Sequence, residues 1–143
     1  LLYRTLYALG LSNQAESTRC DDALSLRECR ISNAVKCVPP QNKPTGVEVR
    51  NCNRYLAAEL AALSSQAVIV ALGTIAHRAV LQATGMKQTA CRFAHAATHR
   101  LSDGKWLVDS YHCSRYNTQT RRLTPAMFKH ALEQALALTT MSR

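Results

Sequence analysis

The sequence predicts an α/β fold built on a largely parallel sheet, and three features carry that prediction. The run AVIVALG (67–73) is aliphatic without a break, as in a strand covered on both faces. Strand-like and helix-like patterns alternate along the chain, an order that favours parallel pairing. The 143 residues are enough for one domain with a sizeable core, so residues 1–143 are read as a single unit.

Each element has a local reason. LLYRTLYALG reads as the end of a helix, with Leu2, Leu6 and Leu9 on one face and Gly10 as its stop. It has no initiator Met and no charged leader with a cleavage site, so it is not a signal peptide, and the expectation is that an N-terminal part is missing. Ser12 to Asp22 is a polar surface connection. Arg30 to Cys37 reads as a short buried strand, and the prolines of VPPQNKP then forbid both helix and ladder. Thr45 and Glu48 form a T-x-x-E capping box. The helix they open carries Val49, Cys52, Leu56, Leu60 and Leu63 on one stripe and should end near Ser64. After the strand at 67–73, Gly73 and Thr74 lead into the helix IAHRAVLQATG, which stops at Gly85. In CRFAHAATHRLSDGKWLVDSYH a turn at Asp103–Gly104 separates two strand-like pieces, a hairpin leading into another core strand. Thr124 and Pro125 start a last helix with Phe128, Leu132, Ala135 and Leu136 inward.

Charge narrows the partners. Lys and Arg number 18 against 9 Asp and Glu, a net +9, which favours a polyanion, usually nucleic acid; a merely soluble basic protein is the alternative. The longest apolar run, Ala67 to Leu72, is far too short to cross a bilayer, so no membrane partner is expected. The six cysteines, at 20, 29, 37, 52, 91 and 113, contain no C-x-x-C pair, which weakens a zinc-finger reading.

In open α/β sheets the working crevice lies outside the carboxyl ends of the strands. Asn33 late in the first strand, Gly73–Thr74 after the second and His112 after the third meet that condition. An amide and an imidazole on one rim could read the edge of a heterocyclic base. A buried bond to a neighbouring loop would equally explain Asn33. The stretch CSRYNTQTRR after His112 combines Arg115, Arg121 and Arg122 with Tyr116, groups that hold phosphates and stack on bases; a solvated basic loop is the bland reading. Cys37 and Cys52 flank the proline-rich loop, which can fold back to bring both thiolates together for a soft metal or an iron–sulfur cluster, although two ligands do not complete either. Cys20 and Cys29 could in principle add to such a site, whereas Cys91 and Cys113 read as core or loop residues.

Three segments, ISNAVKCVPPQNKPT, VIVALGTIAHRA and SYHCSRYNTQTRRLTPAMF, resemble successive signatures of the iron–sulfur uracil-DNA glycosylases. The likeness is greatest to family 5, the type-b branch, and covers nearly the whole chain in order. The SYHxSxxNTxTxRLT pattern is specific to that branch, and the C-x14-C pair enclosing PPxNKPT is shared with family 4. The resemblance implies a three-layer α/β/α sandwich with a mostly parallel central sheet, acting on double-stranded DNA that contains deaminated bases. The base is flipped out and its N-glycosidic bond hydrolysed, leaving an abasic site. By position, Asn33 would read the base edge, His112 would stabilise the charge developing on the departing base, and Ser114 and Asn117 would hold the backbone near the flipped nucleotide. Lys43, Arg115, Tyr116, Arg121 and Arg122 would contact DNA. Cys37 and Cys52 would supply two of four ligands to a structural [4Fe–4S] cluster, the other two being expected upstream of Leu1. The resemblance also implies a monomeric bacterial cytoplasmic protein working at the nucleoid. Two departures stand out. Cys113 occupies the place of the family's usual proline, and the family's first motif, a Gly-Ala-Pro-type strand end, has no counterpart. The fragment is therefore expected to be inactive by itself. A different reading is a noncatalytic nucleic-acid-binding module whose cysteines hold zinc.

Overall fold

The structure, a computed structural model, describes residues 1–16, 25–32 and 46–141, the side chains of 46–52, 140 and 141 excepted. In chain order the elements are α1 (Leu2–Ala8), α2 (Gly46–Ala61), β1 (Val68–Leu72), α3 (Thr74–Ala83), a 3-10 turn (Gln88–Ala90), β2 (Thr98–Arg100), β3 (Trp106–Ser110), α4 (Arg115–Gln119) and α5 (Pro125–Met141). The strands make one sheet in the order β1-β3-β2. β1 runs parallel to β3 with Val68 opposite Trp106 and Leu72 opposite Ser110, and β2 is antiparallel to β3. The sheet among the described residues is therefore mixed.

Alternation along β1 makes three layers. Ile69 and Ala71 pack with Leu56 and Leu60 of α2 and with Ala79, Val80 and Leu81 of α3. Val70 and Leu72 face the other way, toward Leu6 of α1 and toward Phe128 and Leu132 of α5. A side-chain period of two thus puts the aliphatic run to use on both faces, as its composition predicts.

The hairpin turns at Gly104 (φ +93), next to Asp103. The side chain of Asp103 accepts a hydrogen bond from the Lys105 N–H (3.1 Å) and another from its ammonium (2.9 Å). Thr124 Oγ1 accepts from the Met127 N–H (3.2 Å), the cap expected at the start of α5. Of the α2 stripe, Leu56 and Leu60 are buried and Leu63 packs against them. The helix closes at Ala61, three residues before the expected end. Thr45 lies outside the described residues and so does the side chain of Glu48.

One element departs from expectation. Arg30 to Ser32, the start of the strand expected to be buried, takes no strand conformation, and Ile31 is 43% exposed. A strand needs a neighbour to complete its ladder, and the described strands pair only in the order β1-β3-β2. Along the outer side of β1 runs a cavity of about 540 Å³, lined by Cys29, Arg30, Leu56, Leu60, Ile69 and Val70 among others. Residues 33–37, the remainder of the expected strand, lie outside the described residues. No described helix is long and apolar enough to cross a membrane.

Candidate functional site

β1 and β3 end level with one another, so Gly73 and the segment after Ser110 leave the sheet at the same carboxyl rim. The Gly73 N–H donates to the Ser110 carbonyl (2.8 Å), which uses the first amide of the strand-to-helix turn. Gly73 has φ +95, and a Cβ there would stand 3.3 Å from the Cβ of His112. A residue with no side chain is what lets His112 pack against this turn. His112 is exposed, and its ring has no hydrogen-bond partner among the described residues.

The segment that follows is not an irregular loop but carries the short helix α4. Ser114 caps it, its Oγ accepting from the Asn117 backbone N–H (3.2 Å). Asn117 turns its Nδ2 back to donate to the His112 carbonyl (2.9 Å), and its own carbonyl accepts from the Leu123 N–H (3.1 Å). Tyr116 projects with 72% of its surface exposed. Arg115, Arg121 and Arg122 are exposed as well. The Arg122 guanidinium lies over the Tyr111 ring, 4.9 Å from its centroid.

Behind the rim a histidine network fixes the end of β3. Tyr111 donates its N–H to Nδ1 of His95 (3.1 Å), so the hydrogen of that ring sits on Nε2, which donates to the Met127 carbonyl in the first turn of α5 (3.2 Å). The His95 and Tyr111 rings stack at 5.0 Å. Asp109, fully buried, meets His77 Nδ1 with one oxygen (2.7 Å) and His99 Nε2 with the other (2.8 Å). Nε2 of His77 donates to the Cys91 carbonyl (3.0 Å). The network ties α3, β2 and the 91–97 segment to β3, three residues before His112.

His77, His99 and Asp109 are also the one group of possible metal ligands among the described residues. Their nitrogen and oxygen donors already bond to each other, and a hard, saturated N/O set does not suit an iron–sulfur cluster, which takes thiolates. The described cysteines do not gather either. Cys29 donates its thiol to the Leu11 carbonyl (3.7 Å), Cys91 is buried and Cys113 half-buried. Burial raises the pKa of all three thiols, with the Asp109 charge adding to it at Cys91.

Of the site residues expected from sequence, His112, Ser114, Arg115, Tyr116, Asn117, Arg121 and Arg122 share the rim after β3. Asn33, Cys37 and Lys43 lie outside the described residues, as does the side chain of Cys52. The cavity beside β1 does not include His112. His77, His95, His99 and Asp109 escaped the sequence reading. Their partners are 10 to 32 residues away, and no spacing marks such pairs.

A family profile described as the uracil DNA glycosylase superfamily matches residues 1–136. A Thermus thermophilus protein named Type-5 uracil-DNA glycosylase is 45% identical over 137 residues, covering 96% of this chain and 62% of that protein. A Pyrobaculum aerophilum protein of the same name is 42% identical over 136 residues, 95% of this chain and 58% of its own length. One from Mycobacterium leprae is 37% identical over 139 residues, 96% and 61% respectively. The chain thus spans less than two thirds of the length of these relatives. With nearly its full length matched by the family profile, this chain belongs to the uracil DNA glycosylase superfamily.

Proposed function

We propose that the polypeptide carrying this chain is a type-5 uracil-DNA glycosylase, a repair hydrolase that removes uracil from double-stranded DNA. The observation that carries this reading is His112: a solvent-facing imidazole whose ring is uncommitted among the described residues, on a main chain held at Ser110 by Gly73 and at Tyr111 by His95. In the reaction the bond between the sugar C1′ and the base nitrogen breaks, and its electron pair leaves with the base. A ring N–H of His112 donates to the carbonyl oxygen on which that charge collects, an interaction stronger in the transition state than in the ground state. Water bonds to C1′ and gives up one proton, which the departed base anion finally takes up, so the sugar keeps the oxygen as a hydroxyl.

Around that centre, Asn33 reads the edge of the extruded base. Ser114 spends an acceptor on the Asn117 N–H but keeps its hydroxyl hydrogen for a phosphate oxygen. Lys43, Arg115, Arg121 and Arg122 meet the backbone, and Tyr116 presses into the space the base vacates. Cys37 and Cys52 hold part of a [4Fe–4S] cluster, which braces the proline-rich loop and takes no part in bond breaking. The 143 residues act as part of one domain, monomeric, in the cytoplasm.

The test is single-turnover cleavage of a uracil-containing duplex by the complete polypeptide. His112→Ala should slow cleavage by roughly 10²-fold or more with little change in DNA affinity. A loss within a factor of about two would refute the role of His112. Broad visible absorption from anaerobically purified protein, absent in Cys37→Ala and Cys52→Ala, checks the cluster; a colourless zinc protein would favour the binding module.

A further inference from the structure

We propose that Asn117 is a positioning residue for His112, acting through the main chain of the histidine and not through the DNA. The inference rests on the proposed role of His112. Up to Tyr111 the chain is held from behind: Gly73 N–H on Ser110 O at 2.8 Å, and Tyr111 N–H on His95 at 3.1 Å. After Tyr111 it leaves the sheet, and residues 111–114 belong to neither helix nor strand. The Asn117 amide supplies the anchor on the far side, its Nδ2 donating to the His112 carbonyl at 2.9 Å.

The aim of that amide is set by its own backbone. Asn117 is the third residue of α4; its N–H bonds to the capping Ser114 Oγ and its carbonyl takes the Leu123 N–H. With both main-chain groups committed, the side chain has a fixed origin and a short reach. His112 also rests against Gly73, where a Cβ would come within 3.3 Å of its own. A peptide gripped at its carbonyl and seated on a glycine fixes the point from which the ring projects. The contact demands a donor, because the group it meets is a carbonyl. Asparagine provides one and its isostere aspartate, when ionised, does not.

That chemical asymmetry gives the test. In the complete polypeptide, Asn117→Ala and Asn117→Asp should each lower the single-turnover cleavage rate roughly ten- to a hundredfold, the scale of a misplaced catalytic group. DNA affinity should stay within about twofold. An acid at the third helical position favours a capped N-terminus, so Asn117→Asp should melt no lower than the unaltered protein while losing rate as Asn117→Ala does. In a His112→Ala background, adding Asn117→Asp should slow cleavage no further than about twofold, because the residue acts through the missing ring. Full activity in Asn117→Asp beside a crippled His112→Ala overturns this inference alone, as does a double variant in which the two losses multiply. A His112→Ala protein that cleaves normally overturns the underlying reading of the histidine, and this one with it.

Discussion

The Cβ of His112 lies 3.3 Å from the point a Cβ on Gly73 would occupy, so the turn after β1 and the residue after β3 share one small volume. Gly73→Ala must both crowd His112 and adopt φ near +95. A side chain held in that backbone region costs about 1–3 kcal/mol. Denaturant unfolding of the variant should shift by that amount, and cleavage should slow as well. An unchanged midpoint with unchanged activity would mean that the contact is easily relieved.

Asp109 gives both oxygens to buried or nearly buried histidines, 3% exposed at His77 and 14% at His99. Asp109→Ala leaves both rings without their acceptor and should destabilise by about 3–5 kcal/mol, as for other broken buried pairs. Asp109→Asn keeps one acceptor oxygen and should cost less, about 1–3 kcal/mol. Thermal unfolding should rank them in that order, and equal losses would argue that shape alone matters here.

Arg122 stacks on Tyr111 while Arg115 touches no ring among the described residues, so the two arginines should separate by experiment. Either change to Ala should flatten the salt dependence of DNA binding by about one unit of slope if the side chain meets a phosphate. Only Arg122→Ala should also lower stability, by about 0.5–1 kcal/mol for an exposed cation–ring contact. Unchanged slopes in both would take α4 and its flanks off the DNA surface.

Burial tends to raise the pKa of Asp103, but hydrogen bonds from the Lys105 ammonium and N–H outweigh it and hold it below the ordinary 3.8. A carboxylate with a lowered folded pKa stabilises at pH above its unfolded value, and that contribution fades as pH falls through the folded one. The melting temperature of Asp103→Asn should lie below that of the unaltered protein at neutral pH. The gap should narrow as acid is added below about pH 4. A gap that persists at the acid end would assign the effect to turn shape and not to charge.

The parts of the fold that could be read in the sequence are those whose cause is local. The Asp103–Gly104 turn, the aliphatic run of β1 and the stripe of Leu56, Leu60 and Leu63 each carry their reason within a few residues. Helix α4 was missed because five residues are too few for a periodic pattern, although Ser114 stands in front of it as the cap. Arg30 to Ser32 take no strand conformation although Ile31 is aliphatic, since one such residue does not fix a ladder, and residues 33–37 of the expected strand lie outside the described residues. His112 and its polar followers could be found by position at a strand end. The network of His77, His95, His99 and Asp109 could not, since only the folded chain brings those residues together.

Asp109, three residues ahead of His112, is the acid a reader would first suspect of deprotonating the attacking water. It is fully buried, and each of its oxygens already bonds an imidazole, His77 on one and His99 on the other. Asp109 thus belongs to the buried frame that carries His112 and not to a surface that a substrate could reach.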